Sequence, residues 1–423
     1  MMAGAPAKGF GFWTLTFLVV ANMIGAGVFT TSGFTLASLG EPRLVLFAWL
    51  VGGLIALSGA FSYGLLIQRM PLSGGEYLFL SKAVHPFAGF VAGWVSLLAG
   101  FSGAIAFAAV ALESYLPGNF PAKLPAVGVI VLGALLHGAK RSLGVGAQNT
   151  AVILKLLLLT VFLGWGAYSI DWGKEATPSI DGHGGVLVFA QALVWISLSY
   201  SGFNAAVYVA GEATAPHVVS RSLVAGTGLV VLLYLLLNAA FVLGAPAAEL
   251  AGHPDVAARA ARWIGGAGFE GFTRAVISLA LVTSVLSMMM AGPRVYGKMA
   301  EDGVIPKIFI LREDRVWPAV SLQMSLALLL VFAGNLMELL SYLGLTLSLS
   351  AAVAVSSLFL GERVRGWSAL PPAIFVLATL MAASLLIAHD PWQALGTVIT
   401  LILGAVAYRL MPSGNVRASE DSS

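Results

Sequence analysis

From Gly9 to Gly40 the chain runs without a single Asp, Glu, Lys or Arg, and charge-free apolar runs of this kind recur almost to its end. A helix needs roughly 20 consecutive apolar residues to cross the hydrocarbon of a bilayer, so these runs constrain the fold more than any motif does. Spans read from them lie at about 11–38, 44–68, 86–112, 124–139, 142–170, 184–211, 219–245, 271–298, 317–337, 339–360, 367–389 and 391–410. The pattern predicts an all-α membrane protein of twelve helices. Composition agrees, because 10% of the 423 residues are charged against about 25% in a soluble protein. An ordinary cytosolic enzyme, a disordered chain and a nucleic-acid binder are excluded on that ground. The first run is too long for a removable signal peptide and lacks its small-residue cleavage pattern, so it reads as the first span.

Lys and Arg are retained in the cytoplasmic loops of membrane proteins. With the N-terminus inside, fifteen of the 22 cations, from Lys8, Arg69 and Lys82 through to Arg363, Arg365, Arg409 and Arg417, fall in cytoplasmic segments. Six others, Arg43, Lys123, Lys174, Arg259, Arg262 and Arg274, fall outside. An even number of spans returns segment 412–423 to the cytoplasm as a disordered tail. The expected location is the inner (cytoplasmic) membrane, multi-pass, with both termini inside and the lipid bilayer as a partner. Residues 250–266 are expected to form a short outside helix over the vestibule. The basic stretch from Arg294 to Arg315 is expected at a cytoplasmic gate, with Glu301, Asp302, Glu313 and Asp314 as ionic partners.

One cation, Lys155, is left over. Its nearest charged neighbours are Arg141 and Asp171, about 21 Å and about 24 Å away along a helix at 1.5 Å rise per residue. No lysine stem snorkels that far, so Lys155 is expected near the bilayer midplane. A charge there costs about 3 kcal/mol on insertion scales and must face protein or water. Three roles fit: a packing lysine that bonds carbonyls of a neighbouring helix, a proton carrier, or a fixed cation in place of a metal ion.

Two runs are interrupted. Asn22-Met23-Ile24-Gly25-Ala26-Gly27 puts an asparagine and two glycines in the middle of the first span, and Ser199-Tyr200-Ser201-Gly202-Phe203-Asn204 breaks the sixth. A glycine inside a helix costs about 1 kcal/mol relative to alanine. Taken alone, either stretch reads as close helix packing. Taken together, interruptions at corresponding positions of two halves point to a transporter with inverted repeats and a midplane site. The two broken spans are five apart, an odd offset, so the halves have opposite membrane orientations. This divides the chain into a first repeat over 10–170, a second over 184–360, two added helices over 367–410 and the tail.

Four ordered stretches carry a family resemblance. Gly25-Ala26-Gly27-Val28-Phe29 resembles the first-helix signature of the amino acid, polyamine and organocation (APC) superfamily of transporters. Met70-Pro71-Leu72-Ser73-Gly74-Gly75-Glu76-Tyr77 is similar to that family's cytoplasmic segment between helices 2 and 3. Tyr200-Ser201-Gly202-Phe203-Asn204, followed by Gly211-Glu212-Ala213-Thr214-Ala215-Pro216, resembles its sixth helix, particularly in the L-type amino acid transporter-like branch. Ala291-Gly292-Pro293-Arg294-Val295-Tyr296, then Met299-Ala300-Glu301-Asp302-Gly303, resembles the end of its eighth. The resemblance implies a LeuT-type fold with a five-plus-five inverted repeat, broken helices 1 and 6, and an amino acid held by main chain. The physics runs the same way. Unwinding at Gly25, Ala26 and Gly27 frees N–H groups at the positive end of a half-helix, an anion site suited to the substrate carboxylate. Carbonyls near Asn22 and Met23, and around Leu198, Tyr200 and Ser201, would receive the ammonium.

The side-chain subpocket is read from the sixth-helix motif. By the resemblance, Leu198 stands where several relatives have an aromatic lid, which leaves occlusion to Phe203 or Tyr200, or leaves room for a bulky side chain. Asn204, beside Gly202, stands where the L-type branch has asparagine, a neutral polar contact. Ser102, Ser284 and Met288 are further candidates for the pocket, each equally explained by helix packing. Glu113 and Glu212 lie near span ends, and no carboxylate is evident beside the broken helices. The reading therefore favours neutral L-amino acids over a cationic amino acid or polyamine. By the resemblance, Lys155 occupies the position of sodium in sodium-coupled relatives, which implies sodium-independent transport. If Lys155 changes protonation the chain is a proton symporter, and if it stays charged it is an exchanger or facilitator.

Other classes fit less well. The six histidines, His85, His137, His183, His217, His253 and His389, are scattered singly near span ends, and the run Gly182-His183-Gly184-Gly185 reads as an outside turn. The chain has no cysteine, which removes thiolate ligands and nucleophiles together. No metal and no cofactor are expected, and an enzyme is not. A channel would present repeated pore-lining polar faces, and these are absent from the sequence. A nontransporting sensor or receptor of the same fold stays open, as does the oligomeric state.

Overall fold

The structure is a computed structural model that describes residues 9–118, 120–139, 144–169, 185–303, 305–312, 315–360 and 364–410. Among these residues it is helical, with no strand beyond two isolated bridges. The orientation cations Lys8, Lys140, Arg141, Lys174, Arg363 and Arg417 lie outside the described residues, as do Asp171, the stretch Gly182 to Gly184, Glu313, Asp314 and the tail 412–423.

The first apolar run is two helices. α1 (Phe12–Met23) and α2 (Gly27–Leu39) meet at a 45° bend across residues 24–26. Glycines flank this break, and their lack of side chains lowers the cost of leaving the helix. α3 (Pro42–Arg69) starts with proline in its first turn, where the missing N–H is not needed. A short helix, α4 (Gly75–Ala83), precedes α5 (Pro86–Tyr115), which includes a π-helical stretch at Ser96–Gly103. α6 (Leu124–Ala139) and α7 (Gly144–Ser169) follow.

The sixth run also splits, into α8 (Val186–Tyr200) and a 3-10 helix, α9 (Ala205–Glu212). α10 (Pro216–Gly244) and the single turn α11 (Ala247–Leu250) lead into α12 (Val256–Glu301). α12 leaves helical geometry at Gly265 and Gly266, so its first turns form a separate arm, within the stretch 250–266 where a short helix is expected. α13 (Trp317–Ala333), α14 (Leu336–Ser356), α15 (Leu370–His389) and α16 (Leu395–Leu410) complete the chain. Asn335 and Glu338 form a reciprocal capping box at the start of α14, which places that helix start three residues earlier than the apolar run suggested.

Eight of the described helices are long and apolar enough to cross a membrane, and the bent pair makes nine. Three shorter apolar helices accompany them, at Leu124–Gly138, Ile153–Tyr168 and Trp317–Ala333. The surface is apolar where a soluble protein would be polar: Leu377, Met381 and Ile402 are each more than half exposed. The interior holds hydroxyl and amide groups, with Thr30, Ser32 and Asn238 fully buried and the last two bonded to each other. Polar groups inside and large apolar groups outside suit a multi-pass protein in hydrocarbon.

Candidate substrate site

The two breaks touch. Gly202 has φ of +96°, and a Cβ on it would come within 2.9 Å of the Asn22 carbonyl oxygen. No side chain fits there, and few residues other than glycine adopt that φ. Gly27 is as close to the other helix, since a Cβ there would lie 2.8 Å from the Ser199 Cα. Thr31 and Ser199 add a buried hydroxyl pair at 3.1 Å. Main chain from Asn22 to Gly27 and from Ser199 to Asn204 is thereby brought to one place.

At this crossing α1 ends and α2 begins. The first turn of α2 leaves N–H groups without intrahelical acceptors, and the last turn of α1 leaves carbonyls without donors. Two of those carbonyls are taken by Lys155, whose Nζ donates to Ile24 at 2.6 Å and to Ala21 at 3.4 Å. Lys155 is buried on α7, and its ammonium lies at the negative end of the α1 dipole, the favourable sign. A third carbonyl, that of Met23, accepts from the Tyr234 hydroxyl at 2.6 Å. Met23 and Ala26 are themselves buried, whereas the Asn22 side chain is exposed and bonds back to Leu18. Asn22 therefore joins the crossing through its carbonyl and not through its amide.

The residues after Tyr200 hold a different arrangement from the one expected. Tyr200 is buried, donates to the Trp49 carbonyl at 3.1 Å and packs against the rings of Trp49 and Tyr234. Phe203 is buried between Tyr63 and Phe375, with ring centroids 5.4 and 6.0 Å away. Both expected lids are thus core contacts between helices in this conformation. Leu198 is buried and its carbonyl accepts from the Ser201 N–H. Ser102 and Ser284 are buried, and the Met288 carbonyl accepts from Gln323.

A carboxylate does lie beside a broken helix, contrary to the sequence reading. Glu76, in the first turn of α4, is buried. It accepts from Tyr63 at 2.6 Å, Asn204 at 2.5 Å and Tyr208 at 2.8 Å. Its three donors are neutral, and no cation pairs with it among the described residues. The acidic residue was missed because it lies in a segment read as a loop, and nothing in local spacing reports a contact 128 positions away.

The family model described as amino acid permease matches residues 10–408. The chain belongs to the amino acid permease family. This permease is similar to the serine/threonine exchanger of Bacillus subtilis (strain 168), at 24% identity over 75% of each chain. It is similar to the large neutral amino acids transporter small subunit 2 of Homo sapiens, at 24% over 86% of this chain and 70% of the relative. A shorter stretch, 38% of this chain and 35% of the relative, is 36% identical to the arginine/ornithine antiporter of Latilactobacillus sakei. The family and these relatives are transporters, so the permease is not an enzyme.

Around the crossing the permease has two ends tied down. At one end the Tyr115 hydroxyl donates to the Phe29 carbonyl at 2.6 Å, and Asp255, Arg259, Glu270 and Arg274 form an ion-pair network that joins the arm of α12 to the rest of that helix. The Gly252 N–H donates to the Gly33 carbonyl on α2 at 2.8 Å. On the opposite side, the Phe10 N–H donates to the Glu212 carbonyl at 2.8 Å, and the Ser73 hydroxyl accepts from the Gly211 N–H at 2.8 Å. In the Arg294 to Arg315 stretch, Lys298 pairs with Asp302 at 2.9 Å and with Glu301 at 3.7 Å.

Proposed function

We propose that the permease carries neutral L-amino acids across the cytoplasmic membrane as a sodium-independent secondary transporter working by alternating access. The observation that carries this reading is the contact of the two breaks at Gly202 and Asn22, where two half-helix ends bring main chain together. The substrate carboxylate is assigned to the N–H groups at Gly25, Ala26 and Gly27. Its ammonium is assigned to carbonyls of Met23, Leu198, Tyr200 and Ser201, and its side chain to the neighbourhood of Leu198, Phe203 and Asn204. Lys155 is assigned the place a sodium ion would take, because its ammonium already supplies the positive charge that the Ile24 and Ala21 carbonyls attract. Proton symport and exchange are the two coupling modes compatible with that assignment, and the exchanger among the relatives supports the second.

The architecture that accompanies this reading counts the bent pair, the eight long helices and the three shorter ones as twelve spans. Residues 10–170 and 184–360 then form two inverted repeats of the LeuT type, with 367–410 added and both termini in the cytoplasm. Neutral substrates are favoured because Glu76 is buried and already accepts from three donors. A second reading, a cationic amino acid exchanger, draws on the same carboxylate and on the similarity to an arginine/ornithine antiporter. Uptake of the twenty amino acids into proteoliposomes, with sodium replaced by choline and with or without a pH gradient, tests both. Saturable uptake of neutral amino acids in choline is the expected result. Sodium-dependent uptake, or accumulation of lysine and arginine alone, overturns the reading.

A further inference from the structure

Asn204 closes the second break, two residues after the glycine that lies on the Asn22 carbonyl. Its side-chain nitrogen is committed: Nδ2 donates to Glu76 Oε1 at 2.5 Å. That oxygen also accepts from the Tyr63 hydroxyl, and the other carboxylate oxygen accepts from Tyr208. A carboxylate oxygen beside an amide selects the amide's N–H group, since two acceptors repel. The amide orientation is therefore set by Glu76 and not free to reverse. Asn204 is half-buried, and with its nitrogen on Glu76 its oxygen takes the other edge of the amide. The carboxylate is rigidly held as well, because Tyr63 belongs to α3, Tyr208 to α9, and the neighbouring Ser73 takes the Gly211 N–H of α9.

We infer that Glu76 is a positioning residue of the substrate site, which by holding the Asn204 nitrogen turns the amide oxygen, a hydrogen-bond acceptor, toward the substrate side chain. The inference rests on the reading above in which Asn204 neighbours the substrate. An acceptor there suits side chains that donate, such as carboxamides and hydroxyls. It disfavours side-chain carboxylates, which bring two further acceptors and a negative charge toward an amide oxygen with a carboxylate behind it. Glu76 touches no substrate in this account and acts through the amide it orients.

The test compares isosteric side chains. Binding of glutamine and glutamate, and of asparagine and aspartate, is measured on the purified full chain in detergent by isothermal titration. The wild type is expected to bind the carboxamide member of each pair tighter by about tenfold or more, the scale of one hydrogen bond. In Glu76→Gln the residue 76 amide can face Asn204 with either end, so Asn204 can turn its N–H group to the ligand and the preference narrows toward unity. Asn204→Ala keeps the Glu76 charge and removes the oriented amide, and it too narrows the preference. An unchanged carboxamide preference in a folded Glu76→Gln overturns the inference, and so does narrowing in Glu76→Gln with none in Asn204→Ala, which assigns the effect to charge at a distance. If Glu76→Gln does not fold, Asn204→Ala decides by the same criterion. A wild type that binds both members of each pair equally also overturns it while leaving the transport reading intact; a wild type that binds no amino acid fails that earlier reading instead.

Discussion

The ammonium of Lys155 lies 2.6 Å from the carbonyl oxygen of Ile24, the residue at which the first membrane helix stops. A buried cation thus meets the mid-run break, where carbonyls lose their intrahelical donors. The pairing is mutual, because each group would otherwise be left unsatisfied at membrane depth.

Lys155→Ala removes the donor and leaves two carbonyls facing an apolar gap. An unsatisfied buried acceptor costs about 1–3 kcal/mol, which biases the end of α1 toward other conformations. Uptake into proteoliposomes is expected to fall by about tenfold or more, while amino acid binding, followed by thermal shift, persists. Wild-type flux across a range of pH in this variant would reduce Lys155 to packing.

Tyr234→Phe tests the second hold on the same break. The ring keeps its packing against Trp49 and Tyr200, and only the hydrogen bond to the Met23 carbonyl is lost. A stability loss of about 1 kcal/mol and a several-fold lower uptake are expected. Uptake at the wild-type level with a lowered melting temperature would separate this bond from transport.

Gly202→Ala and Gly128→Ala form a matched pair. Position 202 combines a positive φ with contact against Asn22, so a methyl group there is expected to cost about 2 kcal/mol or more and to abolish uptake. Gly128 is exposed in α6, with nothing within 4 Å of an added Cβ. Alanine there is expected to hold or raise the melting temperature, by up to about 1 kcal/mol of helix propensity. Equal behaviour of the two variants in a thermal denaturation series would contradict the crossing.

Arg274→Ala opens the ion-pair network at the arm of α12. Its guanidinium pairs with Asp255 at 2.7 Å and Glu270 at 3.0 Å, and donates to the Ser114 carbonyl at 3.0 Å, so one truncation loosens the arm of α12 from the rest of that helix and the helix from α5. The chain contains no cysteine, and a single cysteine introduced at Thr30 therefore reports without background. Faster labelling of that cysteine in Arg274→Ala is the expected outcome, and an unchanged rate would show that the network does not restrain this end of the crossing.

Much of this was legible in the sequence, and the reason differs from residue to residue. Helix positions followed from length and apolarity alone, because hydrocarbon demands both of every crossing segment. Lys155 stood out because a lone charge within an apolar run has few physical explanations. The breaks were visible at Gly25, Gly27 and Gly202 because glycine is a poor helix former. Glu76 was not legible, since its contact with Asn204 joins segments 128 residues apart. Tyr234 was hidden for the same reason, a lone hydroxyl in an apolar run whose acceptor lies 211 positions earlier.

The sequence by itself determined a multi-pass helical transporter with two interrupted helices and a lone cation, Lys155, within an apolar run. Each of those properties is a property of one segment in one solvent, and local chemistry suffices to state it. Only the tertiary structure decided that Tyr200 and Phe203 pack between helices, that Asn204 turns its nitrogen to Glu76, and that Lys155 ends on the Ile24 carbonyl. Those outcomes depend on which helices become neighbours and at what register. Close packing and the saturation of hydrogen bonds in a dry interior settle that choice, and no single segment encodes it.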